Sequence, residues 1–284
     1  MSKMPNRHSR SFGLIYKPNS ILPEERAEIL TYLQGLHPIW EMRFSKNNPP
    51  KLGQTQRQLL RPVYWLGNWQ FACLNYYHPP KGIQFRCVNA EKYPPVLAKI
   101  VQKIENLVHN QFSEQDIPKG WKLNTCLINY YGSKLENGKK TDTARVGEHK
   151  DFEPGPVGSI SFGERALIQF VESKGRGIPS KVMNQEWLED SSLQIFGGDR
   201  FKKQLFHRVQ RVEKKRNHHF EGLNTTNFET RRINFTFRYV PEEHILPLNQ
   251  FPKLLQEDVQ EYVQQLATNS PYWKKAAETY SKVK

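Results

Sequence analysis

A stretch near residue 235 constrains the fold most, because its polar and apolar residues alternate strictly. The two sets are Arg232, Asn234, Thr236 and Arg238, and Ile233, Phe235, Phe237 and Tyr239. This period of two predicts a β-strand with one polar and one apolar face. Two interpretations of the polar face stay open. It is exposed to water, as in a half-buried strand, or it faces inward, where two guanidiniums require an anion such as a small dicarboxylate.

The region before this strand also has the texture of β-structure. Short candidate strands separated by glycine and polar turns lie at about 123–131, 158–162, 166–171, 192–196, 204–212 and 232–240. This pattern favours a β-sandwich or jelly roll over a βαβ fold.

Helical patterns flank the β-rich region. Apolar spacing and N-terminal signals predict helices over about 22–36, 95–112 and 254–284, the last with a break at Ser270-Pro271. The predicted class is therefore α+β. The predicted organisation is a flexible basic tail at 1–20, N-terminal helices and a substrate lid at 21–120, a β core at 121–245 and a C-terminal helical extension at 246–284.

The charge of the chain predicts a polyanionic partner. Net charge is +14 with a pI near 9.6, and eight lysines and arginines fall within residues 200–216. Such an excess favours nucleic acid, because lysine and arginine release counterions when they neutralise phosphates. A solvated basic surface that aids solubility is the alternative.

The cysteine spacing and the hydropathy of the chain indicate the cellular compartment in which we expect the protein. Cys73, Cys87 and Cys126 are widely spaced, without a Cys-x-x-Cys pair, which argues against a disulfide framework or structural zinc. No window approaches the 18 apolar residues that would span a bilayer, and no apolar segment follows the basic N-terminus. We expect a cytoplasmic, monomeric protein without membrane contact.

Three residues have the composition of a metal site. His149 and Asp151 are two apart, so they share a face of a strand, and His207 follows 58 residues after His149. Two histidines and one carboxylate form the facial triad of non-heme Fe(II) oxygenases. A chance His-x-Asp pair is the alternative, and His218, His219 and Glu148 are weaker ligand candidates.

The order of these segments resembles the AlkB family of Fe(II)/2-oxoglutarate dioxygenases. The matching segments are Cys126-Leu-Ile-Asn-Tyr-Tyr131, His149-x-Asp151, Ser159-Ile-Ser-Phe-Gly163, His207 and Arg232-Ile-Asn-Phe-Thr-Phe-Arg238. The resemblance covers about residues 120–240, and its last segment is the most specific. It implies a double-stranded β-helix (jelly roll) that uses Fe(II), 2-oxoglutarate and O2.

The resemblance also implies residue roles. His149, Asp151 and His207 would hold iron, and Asn129, Tyr131, Arg232, Asn234 and Arg238 would bind the cosubstrate, with Arg232 at its distal carboxylate. The chain departs from the family in longer segments at 132–148 and 207–232, and in Ser191-Ser192 where Gly-Asp is usual. No N-terminal lid can be aligned.

The implied activity is oxidative demethylation of N-alkylated bases in DNA or RNA, on a single-stranded or flipped base. Candidate substrate-binding residues are Glu153, Trp65, Trp69 and Phe152, with Tyr64 and Phe196 as further aromatic candidates. The alternatives are a dioxygenase acting on protein side chains or a small molecule and, less favoured, a catalytically silent nucleic-acid-binding module.

Overall fold

The structure is a computed structural model that describes residues 13–41, 59–70, 87–173, 178–210, 219–250 and 253–281. Its largest sheet has seven antiparallel strands: β1 Leu14–Lys17, β2 Val63–Leu66, β5 Thr125–Glu136, β6 Lys139–Asp142, β8 Val157–Gly163, β11 Ser192–Phe196 and β13 Phe228–Arg238. The spatial order is β1-β11-β8-β13-β5-β2, and β6 pairs with β5.

A second sheet carries part of the predicted metal site. Its strands are β7 Val146–His149, β9 Ala166–Glu172, β10 Lys181–Leu188 and β12 Phe206–Gln210, in the order β10-β9-β12-β7. A small third sheet joins β3 Asn68–Gln70, β4 Cys87–Asn89 and β14 Ile245–Leu246. The helices are α1 Pro23–Gln34, α2 Pro95–Gln111, α3 Lys253–Ala267 and α4 Pro271–Ser281.

The alternation in β13 sorts its residues between two environments. Ile233, Phe235 and Phe237 are fully buried in the main core cluster, which also contains apolar residues of α1, α2, α3 and α4. Arg232, on the other face, is only 4% exposed, so the inward interpretation of the polar face is correct. The sheet thus has a hydrophobic outer face covered by helices and a polar inner face.

A second apolar cluster joins the two larger sheets. It includes Val157 and Phe196 of the large sheet and Ile168 and Phe170 of the smaller one. The Phe170 and Phe196 ring centroids lie 5.4 Å apart, nearly edge to face, which is a favourable arrangement for buried rings. The cluster holds the sheets face to face in the predicted jelly-roll arrangement.

Most of the predicted strands and helices are present. The strand predicted at 204–212 begins later, at Phe206, because the chain forms a helical turn at Asp199–Gln204 before β12; residues 211 and 212 lie outside the described ranges. Pro271 begins α4, so the predicted break at Ser270-Pro271 is confirmed. No helix in the described part of the chain is long and apolar enough to cross a membrane.

The expectation of a flexible N-terminal tail is corrected in part, and the long segment 132–148 has a defined structure. The predicted flexible tail at 1–20 is wrong for Leu14–Lys17, which pair with β11 along their whole length; residues 1–12 lie outside the described ranges. The long segment 132–148 is largely an ordered hairpin of β5 and β6. Its turn is Asn137-Gly138, and both residues have positive φ, as a two-residue hairpin turn of type I′ requires.

Candidate active site

The predicted metal ligands meet at one end of the smaller sheet. His149 ends β7 and lies directly opposite His207 on β12, with the ring centroids 4.1 Å apart. Asp151 follows two residues after β7, and its Oδ2 is 3.6 Å from His207 Nε2. One ligand atom from each of the three residues lies within 4.8 Å of the other two. These three side chains can therefore coordinate one ion.

Both histidines have the neutral form that a metal needs. His149 Nδ1 lies 2.8 Å from the Gly147 carbonyl oxygen. A carbonyl only accepts hydrogen bonds, so Nδ1 donates its proton and Nε2 keeps a lone pair for a metal. Burial and then His149 lower the pKa of His207 to about 3, and burial lowers the pKa of His149. Neutral imidazole is the ligating form.

Asp151 is held as an anion by a neighbouring arginine. Arg238 donates to Asp151 Oδ1 from Nε at 3.1 Å and from Nη2 at 2.9 Å. Although burial opposes ionisation, the charge of Arg238 holds the pKa of Asp151 well below its usual range. Its Oδ2 is buried and accepts no hydrogen bond from a described residue, so that oxygen suits a metal.

Arg232 is a buried cation without a carboxylate partner among the described residues. Its Nη2 donates to Ser161 Oγ at 3.0 Å, while Nε and Nη1 make no hydrogen bond with a residue in the described ranges. Its guanidinium lies 4.8 Å from the centre of the Tyr131 ring. A buried guanidinium is costly unless an anion pairs with it, so the two orphaned donors fit a carboxylate of 2-oxoglutarate.

Another predicted cosubstrate residue, Asn234, follows Arg232 by two positions in β13. Asn234 lies on the same face, but its Nδ2 donates to Ser159 Oγ at 2.7 Å and to the Ile160 carbonyl at 2.9 Å. Its Oδ1 accepts from Thr236 at 2.9 Å. We interpret Asn234 as holding β13 and β8 in register rather than as a direct ligand, because its amide is already satisfied within the sheet.

Arg61 is a site residue that sequence reasoning missed. Its Nε donates to Asn129 Oδ1 at 2.8 Å, and its guanidinium lies 4.8 Å from the Tyr131 ring centre, as Arg232 does. The side chain is buried. No periodic signal marks this arginine in the sequence, because it precedes the short strand β2 in a polar, irregular stretch.

The predicted substrate-binding residues differ in their burial and in their distance from the triad. Glu153 is buried beside the triad, with Oε1 3.5 Å from Arg238 Nε and Oε2 without a hydrogen-bond partner among the described residues. Phe152, between Asp151 and Glu153, is 41% exposed and available to a ligand.

The aromatic candidates near β2 mostly lie elsewhere. Trp69 is fully buried and packs edge-on against Tyr262 and Trp273 of the C-terminal helices, which contradicts a base-stacking role. Tyr64 donates to Glu91 Oε1 at 2.7 Å on the outer face of the sheet. Both lie on surfaces that tertiary packing turned away from the site.

Trp65 and Phe196 lie on the inner face of the large sheet but in packed positions. Trp65 is opposite Leu127 in the β2–β5 register, is 4% exposed, and donates its indole N–H to Glu41 Oε1 at 2.7 Å. Stacking on Trp65 would require displacement of its neighbours. Phe196 packs against His207, with ring centroids 5.0 Å apart.

The weaker candidates for metal ligands contact other residues. Glu148 accepts hydrogen bonds from Arg208 Nη1 at 2.6 Å and Ser180 Oγ at 2.8 Å. His219 is exposed and lies 3.8 Å from Glu221. His218 and the cluster residues 211–216 are outside the described ranges.

The basic cluster contains a second site residue that sequence reasoning missed. Lys202 turns inward, and its buried Nζ makes no hydrogen bond with a described residue. Asp151 and Glu153 attract its positive charge, and Arg238 repels it. The sequence placed Lys202 in a basic surface run, so nothing in the pattern distinguished it from its exposed neighbours.

Comparisons with known proteins agree with this geometry. The family model described as the 2OG-Fe(II) oxygenase superfamily matches residues 13–238. No curated protein sequence matches the chain significantly.

Solved structures that resemble the chain do so at low identity. A structure of OsALKBH1 has a TM-score of 0.48 at 18% identity, covering 80% of this chain and 98% of that one. The Escherichia coli ribosomal oxygenase YcfD, in complex with cobalt and 2-oxoglutarate, has a TM-score of 0.33 at 12% identity, covering 91% and 54%. A bsmA homolog from Methylobium petroleophilum PM1 has a TM-score of 0.33 at 10% identity, covering 80% and 88%.

The matched family uses Fe(II), 2-oxoglutarate and O2, and the described residues fit the metal and the cosubstrate. Two neutral histidines and one carboxylate suit Fe(II). The orphaned donors of Arg232 suit a carboxylate at a distance from that metal. The chain therefore belongs to the 2OG-Fe(II) oxygenase superfamily and is a dioxygenase.

Proposed function

We propose that this dioxygenase oxidatively demethylates N-alkylated bases in nucleic acid, as in DNA or RNA alkylation repair. The observation that carries the proposal is Glu153, a buried carboxylate two residues after Asp151. Its Oε2 accepts no hydrogen bond from a described residue. A buried carboxylate needs a donor, and a methylated base provides one in its exocyclic amino group and often also carries a positive charge.

The charge of the chain supports a nucleic-acid substrate. At a net charge of +14, it favours polyanions, because each phosphate neutralised releases counterions. Lys139 and Lys140 lie on the β5–β6 hairpin, where the AlkB family has a shorter segment. The resemblance of the sequence to that family points in the same direction.

Four side chains would bind the metal and the cosubstrate. His149, Asp151 and His207 would hold Fe(II), and Arg232 would pair with a carboxylate of 2-oxoglutarate. Bound together with O2, these cofactors supply an oxidant that hydroxylates an N-methyl C–H bond, and the product loses formaldehyde. Arg238 orients Asp151 through two hydrogen bonds, so the unpaired oxygen stays directed towards the ion.

Substrate residues would orient the methyl group and exclude water. The target base must be single-stranded or leave the stack, and an aromatic ring commonly supports an extruded base. The exposed Phe152 lies next to Asp151 in the chain and can supply such a surface. Glu153 would accept a hydrogen bond from the amino group of the base and so fix which atom faces the metal.

The test is release of formaldehyde and succinate from single-stranded oligonucleotides that carry 1-methyladenine or 3-methylcytosine. We expect both products from the wild type with Fe(II), 2-oxoglutarate and O2, and neither from Asp151→Asn. Succinate without formaldehyde would contradict the proposal and favour a protein side chain or small molecule as substrate. Neither product from iron-loaded protein would favour a silent binding module.

Salt dependence provides an independent test of nucleic-acid contact. Binding of an unmodified single-stranded oligonucleotide should weaken steeply and log-linearly as salt rises, because phosphate contacts release counterions. A Kd that does not change with salt would indicate that the basic charge serves solubility alone.

A further inference from the structure

Lys202 lies in the helical turn Asp199–Gln204, between β11 and the strand that carries His207. Its neighbour Lys203 has an exposed side chain and forms a surface ion pair with Asp199 at 2.6 Å. Lys202 instead turns inward, and its buried ammonium nitrogen makes no hydrogen bond with any described residue. Two adjacent lysines thus have opposite environments.

The charges around Lys202 do not satisfy its donors. Asp151 and Glu153 act on it electrostatically, yet neither accepts a hydrogen bond from it. Asp151 already accepts a hydrogen bond from Arg238, and its carboxylate is one of the three groups that could hold a metal. Glu153 keeps a buried, unbonded Oε2. The site therefore has an orphaned donor and an orphaned acceptor, and a buried polar group without a partner is costly.

A ligand that satisfies both groups must offer an acceptor to Lys202 and a donor to Glu153. The edge of a methylated base differs in this respect from one base to another. In 3-methylcytosine and 1-methylguanine, the methylated nitrogen lies between an amino group and a carbonyl. In 1-methyladenine it lies between an amino group and a C–H group, and in 3-methylthymine between two carbonyls.

We infer that Glu153 and Lys202 together select bases whose methylated nitrogen lies between an amino group and a carbonyl. This inference rests on the proposed function and names the substrate class of that same site. Glu153 accepts from the amino group, and Lys202 donates to the carbonyl. A base with two carbonyls leaves Glu153 facing an acceptor, and such a mismatch is rejected strongly by a buried polar site.

The competing explanation is that Lys202 only balances the negative charges of Asp151 and Glu153. Loss of the charge would then change turnover of the cationic bases, 3-methylcytosine and 1-methyladenine, by one factor and turnover of the neutral bases, 1-methylguanine and 3-methylthymine, by another. The inference instead requires a change in the ratio between 3-methylcytosine and 1-methyladenine, which carry the same charge, and a purely structural or electrostatic role does not produce that change.

The experiment compares kcat/KM for four oligonucleotides, each with one of these bases, in the wild type and in Lys202→Met. We expect a loss of about tenfold or more for 3-methylcytosine and 1-methylguanine, from one hydrogen bond to a charged group. The value for 1-methyladenine should change less than about threefold, because that base offers no carbonyl to the lysine. Lys203→Met is the matched control and should leave the ratios between the four values unchanged.

Two further variants keep the test decisive. Lys202→Gln keeps an N–H donor, so it should restore part of the discrimination even where Lys202→Met folds poorly. Glu153→Gln can donate to a carbonyl, so it should raise 3-methylthymine turnover relative to 3-methylcytosine. Equal losses on all bases in Lys202→Met and Lys202→Gln would overturn the inference.

Failure of the inference is distinguishable from failure of the proposed function. The visible charge-transfer band of the anaerobic Fe(II)–2-oxoglutarate complex reports an intact metal site in each variant. If the wild type shows this band but demethylates none of the four bases, the proposed function fails, and this inference with it. If the wild type demethylates bases and Lys202→Met leaves their ratios unchanged, only the inference is overturned.

Discussion

Replacement of Arg232 by methionine should have opposite effects with and without 2-oxoglutarate. The guanidinium is buried and donates to Ser161, while its Nε and Nη1 make no hydrogen bond within the part of the chain that the structure describes. Methionine retains much of the apolar stem that lies near Tyr131 and removes the charge. The variant therefore separates the cost of burying an unpaired cation from its benefit in binding an anion.

Without cosubstrate, the variant should be as stable as the wild type or more stable. Leaving a buried charged group unsatisfied costs about 1–3 kcal/mol or more, and apolar replacement removes that cost. We expect the free energy of unfolding of the metal-free protein to stay equal or to rise by about 1–2 kcal/mol.

With cosubstrate, the variant should lose most of its affinity for 2-oxoglutarate. Two hydrogen bonds between charged groups contribute about 1.5–3 kcal/mol each, so the Kd should rise by about a hundredfold or more. At a ligand concentration of about 100 times the wild-type Kd, the wild type gains about 2.7 kcal/mol and Arg232→Met almost nothing. Thermal melts with Mn(II) in place of iron, with and without 2-oxoglutarate, measure both effects.

The adjacent residue provides the matched control. Arg231 is equally buried, but it pairs with Glu164 at 3.1 Å and Asp142 at 3.3 Å and donates to Ser133 at 2.6 Å. Breaking such a network should cost about 3–5 kcal/mol in the absence of any ligand. If Arg232→Met is destabilised as much as Arg231→Met and keeps its response to 2-oxoglutarate, Arg232 is a structural arginine and the reasoning is refuted.

Other consequences of the site are also measurable. Asp151→Asn should lose Mn(II) binding in titration calorimetry, because the amide cannot replace the anionic ligand; retained affinity would remove Asp151 from the metal site. Stability of the metal-free protein should fall as pH is lowered from about 6.5 towards 5, because unfolded histidines have a pKa near 6.5 while His149 and His207 have lowered values in the folded state. Urea unfolding at pH 7 and pH 5 tests this, and His207→Gln should flatten the dependence; an equally steep fall in that variant would assign it to other groups. Arg61→Met should raise the KM for 2-oxoglutarate several-fold, less than Arg232→Met does, since Arg61 acts through its neighbours Asn129 and Tyr131; an unchanged KM would make Arg61 purely structural.

Several features followed from local pattern alone. The alternation from Arg232 to Tyr239 predicted a strand with two different faces, because successive side chains of a strand point to opposite sides. Apolar spacing predicted α2, and Pro271 predicted the break before α4, because proline has no backbone N–H and is tolerated in the first turn of a helix. The spacing of His149 and Asp151 predicted that both side chains could reach one metal, and they do meet, although β7 ends at His149 and Asp151 follows the strand rather than sharing its face.

Elements with a weak local signal escaped sequence analysis. Strand β10 has four polar and four apolar residues in no strict alternation, and half of its residues are exposed, so it lacks the pattern that marks a half-buried strand. Strand β1 has four residues in a basic segment and owes its structure to pairing with β11. Stability that comes from a distant partner leaves little trace in the segment itself.

The sequence by itself determined that the chain has amphipathic strands, flanking helices and the side chains of an iron site, because these depend on residue type and short spacing. Only the tertiary structure decided which faces are covered. Pairing of β13 with β5 and β8 turned Arg232 inward without a carboxylate partner among the described residues. Packing against the C-terminal helices withdrew Trp69 from the site, and the turn before β12 buried Lys202. Burial depends on contacts between residues far apart in the chain, so no local pattern specifies it.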